Sequence, residues 1–137
     1  MLERMDHFTI VSDDLEVTQR FYVDLLGLHE GPRPDFPQPG HWFYIGDQAV
    51  LHVISVRCMP SPRRGVLDHM AFRAHGLAAT LDRLDAAGIR YRIFRTPGTT
   101  RTWQVFFDDP NGVELELDFD PAEVAPSDWK TRSHPPH

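Results

Sequence analysis

A repeated Asp-His pair constrains the fold of this chain more than any other feature of its sequence. The stretches "MDHFTIVS", residues 5–12, and "LDHMAFRA", residues 67–74, each carry the pair in front of a β-prone run. When the chain is laid on itself with a shift of about sixty residues, the two pairs coincide. Further matches follow in the same order: Leu15 with Leu77, Gly27 with Gly88, Trp42 with Trp103 and Asp47 with Asp108. The series predicts two duplicated halves.

Each half is predicted to contain one strand, one helix and then three strands. The runs at 5–11 and 66–74 supply the first strand of each half. The other strand candidates lie near 28–30, 41–45 and 49–56 in the first half, and near 90–95, 102–107 and 113–119 in the second. The predicted fold class is therefore α+β, with two tandem βαβββ modules forming a curved mixed sheet around a cup.

Two amphipathic helices are predicted between these strands. In the first, Val17, Phe21 and Leu25 form an apolar stripe, and Asp13 with Glu16 resembles a capping box. In the second, apolar residues recur at helical spacing, at Leu77, Leu81 and Leu84. Both patterns are typical of amphipathic helices.

Module boundaries are predicted from changes in composition. We expect a first module, a linker, a second module and a C-terminal tail, at residues 1–57, 58–65, 66–120 and 121–137. The tail is rich in proline and polar residues, so we expect it to be loosely attached, with Trp129 as an anchor. His134 and His137 then lie too far out to be ligands.

Residues 30–40, "EGPRPDFPQPG", contain four prolines and are predicted to form no regular structure. A stiff loop of this kind that carries Arg33 and Phe36 is either a lid or a surface connection. The sequence leaves both interpretations open.

Composition excludes several classes of protein. The formal net charge of −6 argues against a nucleic-acid binder, which needs a basic surface. No window approaches the ~20 apolar residues of a membrane span, and no signal peptide is recognised. The single cysteine, Cys58, excludes an internal disulfide and favours a reducing cytoplasm. We expect Cys58 to be chemically inert.

Alternation along the predicted strands brings polar side chains to a common face. In "AVLHVIS", His52 shares a face with Val50 and Ile54, and in "GVELELDF" the two glutamates, Glu114 and Glu116, share one face. The first and last strands of both halves are therefore expected to bring four side chains together: His7, His52, His69 and one of the two glutamates.

Imidazoles with one carboxylate suit a divalent metal ion such as Fe²⁺, Mn²⁺, Zn²⁺ or Ni²⁺, so the cup is predicted to bind a metal. Two histidines and a carboxylate are also the ligand pattern of non-haem iron oxygenases. A single histidine in a strand is more often hydrogen-bonded than metal-bound. His7 and His69 occupy equivalent positions in the two halves, however, and this repetition favours a role as metal ligands. His29, His41 and His75 lack the symmetry and are interpreted as surface or pocket-wall residues.

The sequence resembles the vicinal oxygen chelate superfamily, which includes glyoxalases, bleomycin-resistance proteins and dioxygenases. The resemblance rests on "MDHFTIVSDDLEVTQRFYVDLLGL", "LDHMAFRAHGLAATLDRLDAAGI" and "FFDDPNGVELELDF", which together span residues 5–119. It implies that His7 and His69 are the ligands of the first and fifth strands. Glu116, the fourth residue after Gly112, matches the carboxylate ligand of the eighth strand. His52 stands where glyoxalase I carries a glutamate, which is a departure from that enzyme.

The resemblance implies a metal-dependent enzyme that chelates two neighbouring oxygens of a small-molecule substrate. Ring cleavage by a dioxygenase and a lyase or isomerase reaction are the two reaction classes, with Glu116 as the catalytic base. The alternative is a non-catalytic protein that binds a ligand or drug, like the bleomycin-resistance members. A homodimer is expected. Arginines and aromatic residues are predicted to line the mouth of the site for a flat or anionic substrate: Arg33, Phe36, Trp42, Arg95, Arg101 and Trp103.

Overall fold

The computed structural model describes residues 1–135 and divides the chain into two compact units. The first unit is Met1–Arg63, and the second begins at Arg64. Among the described residues, no helix has the length and apolar character needed to cross a membrane.

The first unit contains one mixed four-stranded sheet. Along the chain its elements are β1 (Phe8–Ser12), α1 (Leu15–Gln19), a π-helical segment (Arg20–Leu25), β2 (His29–Glu30), β3 (Gly40–Ile45) and β4 (Gln48–Ser55). The strand order is β1-β4-β3-β2, in which β1 and β4 are parallel and the other pairs antiparallel.

The second unit repeats this plan. Its elements are β5 (Met70–Arg73), α2 (Leu77–Ala86), β6 (Tyr91–Arg95), β7 (Trp103–Asp108), β8 (Glu114–Phe119) and a short helix α3 (Trp129–Arg132). The strand order is β5-β8-β7-β6, again with only the first pair parallel. The α+β class and the two tandem βαβββ modules are thereby confirmed.

The first strand of each unit starts later than its sequence pattern predicts. β1 begins at Phe8 and β5 at Met70, so His7 and His69 lie immediately before these strands rather than near their middles. The parallel partner strand runs alongside, with Thr9 opposite His52 and Ala71 opposite Glu116. Each histidine therefore lies close to a candidate ligand on the neighbouring strand, His7 to His52 and His69 to Glu116.

The first helix differs from the prediction in its cap and in its winding. Asp14, not Asp13, caps it, because the Asp14 carboxylate accepts a hydrogen bond from the Val17 N–H at 3.0 Å. After Gln19 the helix widens, and the Leu26 N–H bonds to the Phe21 carbonyl five residues back. This widening turns Phe21 and Tyr22 together into the core, while Val17 and Leu25 stay only partly buried.

The sheet of the second unit has one apolar and one polar face. Val105, Phe107, Leu115 and Phe119 are buried on the inner face. The intervening positions of the same strands face the other way and carry Gln104, Phe106, Glu114, Glu116 and Asp118. Period-two alternation thus separates the hydrophobic core from the face that bears the candidate site.

Strand register corrects one equivalence inferred from the repeat. Trp42 lies opposite His52, whereas Phe106, not Trp103, lies opposite Glu116. The prediction that Trp42 and Trp103 are equivalent is therefore wrong. The offset between equivalent residues is 61 from Gly27 to Gly88 but 64 from Trp42 to Phe106, so it changes between the helix and the third strand of each unit.

The C-terminal segment is attached more firmly than its composition predicts. Trp129 packs edge-on against Trp103, with ring centroids 5.2 Å apart, and so is the anchor expected from the sequence. Further along, the Ile93 N–H donates to the Ser133 hydroxyl at 3.0 Å, and the His134 N–H donates to the Tyr91 carbonyl at 2.8 Å. The expected loose attachment is therefore wrong for this segment. His137 lies outside the described residues.

Gly40 has no room for a side chain, which leads to a stability prediction. A Cβ built on Gly40 would lie 2.2 Å from the Val53 carbonyl oxygen. We expect Gly40→Ala to lower the free energy of unfolding by about 1–3 kcal/mol, because the backbone must shift to relieve the clash. Urea unfolding measures this change.

Gly65 provides the matched control, since a Cβ built there meets nothing within 4 Å. Gly65→Ala is expected to be neutral or to stabilise the protein by up to about 1 kcal/mol. Equal unfolding free energies for the two variants would contradict the close approach at Gly40.

Candidate metal centre

The hairpin between β7 and β8 determines where Glu116 points. The buried Asp109 carboxylate accepts hydrogen bonds from the backbone N–H groups of Asn111 and Val113, each at 2.8 Å. It also accepts from the Asn111 side-chain amide at 3.1 Å. Gly112 has a φ of +91°, a conformation that favours glycine. The loop leads into β8 with Asp108 opposite Glu114, and this register places Glu116 opposite Phe106.

We expect Asp109→Ala to lower the free energy of unfolding by about 2–3 kcal/mol, because buried N–H groups lose a charged acceptor. Chemical denaturation measures the loss, and amide hydrogen exchange at Val113 reports whether the loop opens. Asp47 lies exposed in the hairpin of the first unit, and Asp47→Ala is expected to change stability by no more than about 0.5 kcal/mol. A loss at Asp109 no greater than that at Asp47 would argue against this role.

His69 and Glu116 form the central pair of the second unit. The distance between His69 Nε2 and Glu116 Oε2 is 2.8 Å. On the opposite side of the ring, Asp68 Oδ2 lies 2.8 Å from His69 Nδ1. The ring edge-packs against Phe106 with a centroid distance of 5.7 Å. The imidazole is therefore held from three sides, with Nε2 directed at the carboxylate.

The pKa values of this pair reflect their surroundings. The hydrogen bond to Asp68 raises the pKa of His69, and the charge of Glu116 adds to this effect. Burial raises the pKa of Glu116, whose side chain is only 6% exposed, and Asp118 raises it further. The charge of His69 lowers the pKa of Glu116, but this effect is smaller than the effect of burial. Both groups therefore hold a proton more tightly than an exposed histidine and an exposed glutamate do.

Glu114 has different partners from Glu116, although both lie on the same face of β8. One of its oxygens binds Arg92, and the other lies 3.2 Å from Arg64. Arg64 also pairs with Asp108 at 2.5 Å. Glu114 is thus neutralised by two guanidinium groups, while Glu116 is the glutamate that contacts a histidine.

The first unit carries a stack of three aromatic rings. The rings of His7 and His52 lie 3.7 Å apart with an interplanar angle of 16°. Trp42 covers the ring of His52 at 3.9 Å and 8°. Asp6 Oδ2 lies 2.6 Å from His7 Nδ1, which repeats the arrangement of Asp68 and His69. The repeated Asp-His pair therefore has the same geometry in both units.

The surroundings of His52 favour its neutral form. Burial lowers the pKa of His52, and the neighbouring His7 lowers it further. The hydrogen bond to His7 lowers the pKa of Asp6. A neutral imidazole is the form that binds a metal ion, so His52 is suited to ligation.

The donor groups of both units suit a divalent metal ion. Among residues 1–135, no group of three or more His, Cys, Asp or Glu side chains is arranged to hold a metal. Each unit instead offers two candidate donors, the imidazoles of His7 and His52 in one and His69 with Glu116 in the other. In both units a carboxylate binds Nδ1 of the leading histidine, which is the usual support behind a metal-binding imidazole. The chemistry of the donors therefore fits the ion expected from the sequence.

The predicted substrate residues fall into two groups. In the first unit, Trp42 covers His52, and the Arg33 guanidinium lies over the Phe36 ring at 5.2 Å. In the second unit, Arg95 lies over Trp103 at 4.5 Å, on the inner face of the sheet. Arg95 also donates to the carbonyl of Arg101 at 3.0 Å. The structure does not bring Arg95 or Trp103 to the face that carries Glu116.

The other histidines are engaged elsewhere or exposed. His41 Nδ1 lies 2.5 Å from Glu30 Oε1, and His29 stacks on Tyr44 at 5.8 Å. His75 is exposed.

Sequence reasoning missed three residues around Glu116. Gln104 donates to the Glu116 carboxylate, Phe106 contacts His69, and Arg92 lies over the Phe106 ring at 5.1 Å. The alternation in "WQVFFD" separates Gln104 and Phe106 from the buried positions, and this signal could have identified both. Their proximity to Glu116 depends on the pairing of β7 with β8, which the sequence does not reveal.

The chain belongs to the Glyoxalase/Bleomycin resistance protein/Dioxygenase superfamily, whose family model matches residues 4–117. The resemblance drawn from its motifs is thereby confirmed. The chain is similar to YaeR of Escherichia coli (strain K12), an uncharacterized protein. The two are 26% identical over 123 residues, which cover 85% of this chain and 95% of YaeR.

Two solved structures share the fold. The fosfomycin resistance protein FosX from Listeria monocytogenes has a TM-score of 0.68 at 17% identity and covers 86% of this chain and 92% of its own. A lactoylglutathione lyase from Agrobacterium tumefaciens has a TM-score of 0.58 at 23% identity, with 86% and 94% covered. At these identities the likeness shows the fold alone.

Proposed function

We propose that this chain is a metal-dependent enzyme that acts on a small molecule with two neighbouring oxygen atoms. In this proposal His7, His52, His69 and Glu116 bind one divalent ion, either Fe²⁺, Mn²⁺, Zn²⁺ or Ni²⁺.

The contact between His69 and Glu116 carries the proposal. A nearly buried carboxylate 2.8 Å from an imidazole Nε2, with Asp68 behind the ring, brings two metal-binding atoms close together. The equivalent histidine, His7, has the same carboxylate support from Asp6. A carboxylate behind the ring is one of the usual supports of a metal-binding imidazole, so its presence in both units supports the proposal.

Glu116 is proposed to hold and move the proton during reaction. Burial and Asp118 raise the pKa of Glu116, so this carboxylate accepts a proton more readily than an exposed glutamate does, as a general base must. When bound, the metal ion would supply Lewis acidity to the developing negative charge on the substrate oxygens.

The reaction is proposed to be ring cleavage by a dioxygenase or a lyase or isomerase step, and not the reaction of glyoxalase I. His52 supports this distinction, because an imidazole cannot replace the glutamate of glyoxalase I in both of its roles. The stacked ring of Trp42 beside His52 favours a substrate with a flat portion.

Elemental analysis of untagged protein purified without oxygen tests the proposal, with His7→Ala beside the wild type. We expect about one ion per chain in the wild type and loss of that ion in the variant. Iron or manganese would direct assays to oxygen uptake with catechols. Zinc or nickel would direct them to isomerase and lyase reactions.

A non-catalytic ligand-binding protein is the second candidate, and the ring stack of the first unit favours it. His7, His52 and Trp42 form an aligned stack, and a flat ligand could extend this stack on an outer ring face without a metal. Protein that contains no metal, even after anaerobic reconstitution, would overturn the enzyme proposal and favour this one.

A further inference from the structure

The side chain of Gln104 joins two neighbouring carboxylates on the polar face of β8. Its Nε2 donates to Glu116 Oε1 and lies 3.3 Å from Asp118 Oδ1. The other oxygen of Glu116, Oε2, contacts His69 Nε2. Glu116 is therefore held at both oxygens, by the amide on one side and by the imidazole on the other.

This arrangement has a physical reason. Glu116 and Asp118 are two residues apart on one strand, so their side chains project from the same face and their charges repel each other. An amide NH₂ group has two protons and can donate one to each carboxylate. Gln104 therefore offsets the repulsion and keeps Glu116 Oε2 directed at His69.

The first unit contains no equivalent of Gln104. Gly40 lies opposite Ile54 in the first sheet, as Gln104 lies opposite Asp118 in the second. A side chain at Gly40 would collide with the Val53 carbonyl, and Ile54 has no charge to compensate. His52, the counterpart of Glu116, is instead held by stacking between His7 and Trp42. The two halves thus support their candidate ligands by different means, and only the second uses an amide.

We propose that Gln104 is a positioning residue that holds Glu116 in the orientation needed to bind the metal ion. This inference rests on the proposed function, because it concerns the same donor atoms. Gln104 itself contacts neither metal nor substrate in this proposal, and it acts only through the Glu116 carboxylate.

Gln104→Met tests the inference, because methionine has a similar size and no donor. We expect the affinity for Mn²⁺, measured by calorimetry with the untagged protein, to fall about 10–100-fold. Gln19→Leu is the matched control, since Gln19 also donates to a glutamate, Glu30, at 2.6 Å, and Glu30 is not a proposed ligand. The control is expected to bind Mn²⁺ as the wild type does.

A second variant separates positioning from a general loss of structure. Adding Asp118→Asn to Gln104→Met removes the repelling charge and supplies a new amide donor beside Glu116. We expect the double variant to recover part of the lost affinity, which general destabilisation would not produce.

The outcomes separate this inference from the proposed function. If the wild type binds Mn²⁺ and Gln104→Met binds it equally well, the inference is wrong and the proposed function stands. If the wild type binds none of the ions Mn²⁺, Fe²⁺, Zn²⁺ and Ni²⁺, the proposed function is wrong. In that case the ¹⁵N NMR signals of the His69 ring in metal-free protein decide the inference. Identical signals in the wild type and in Gln104→Met would overturn it, and a shift of Nε2 would support it.

Discussion

Replacing His69 with alanine is expected to lower the affinity for a divalent metal ion at least about 100-fold, since loss of a partner behind a ligand already costs 10–100-fold. The substitution removes the imidazole that faces Glu116 Oε2 at 2.8 Å. It also leaves the Glu116 carboxylate buried beside Asp118 with one compensating partner fewer. Metal content of the purified protein and titration calorimetry with Mn²⁺ measure the effect.

His75 is the matched control for this experiment, because it is an exposed histidine six residues along the chain. His75→Ala is expected to keep the affinity and stoichiometry of the wild type. One tightly bound ion per chain in His69→Ala would refute the assignment of His69 as a ligand. Glu114→Gln adds a further comparison, and it is expected to retain the metal because Glu114 binds Arg92 and Arg64 instead of a histidine.

The substitution Phe119→Ala is expected to lower the free energy of unfolding by about 3–5 kcal/mol. Phe119 is fully buried at the end of β8 and lies opposite Trp103, which in turn packs against Trp129. Truncation leaves a cavity between the sheet and the C-terminal segment, and the neighbouring rings cannot fill it without moving. Urea unfolding gives the magnitude, and near-ultraviolet circular dichroism reports the change around the two tryptophans.

Phe36 provides the comparison, because its ring is 51% exposed and loses little buried area when truncated. Phe36→Ala is expected to change the free energy of unfolding by about 0.5 kcal/mol or less. A loss at Phe119 as small as the loss at Phe36 would show that this end of β8 does not belong to the core.

Local pattern was sufficient to predict the architecture of both halves. The Asp-His pairs, the apolar stripe Leu77, Leu81 and Leu84, and the alternation in "GVELELDF" all depend on residues close together in the chain. The structure places the predicted helices and strands in that order, with Leu77, Leu81 and Leu84 buried. The first helix was predicted less well, because its π-helical turns shift the buried face away from a regular helical spacing.

The candidate site was predictable in its residue types but not in its detailed contacts. Spacing and resemblance named His7, His52, His69 and Glu116 as ligands, which remains a prediction. They could not show that Gln104 holds Glu116, or that Arg95 and Trp103 lie on the opposite face of the sheet. Those contacts join residues that are distant in the chain, and strand register determines them.

Chain periodicity therefore accounts for the duplication, the order of the elements and the separation of polar from apolar faces, since each of these follows from neighbouring residues. Pairing between strands decided the rest. It placed Phe106 rather than Trp103 opposite Glu116. It also paired Glu114 with Arg92 and Arg64, and it brought Gln104 between the carboxylates of Glu116 and Asp118. The physical reason is that the register of hydrogen bonding between strands determines which residues are neighbours. A shift of one residue in that register moves every side chain of the strand to the opposite face.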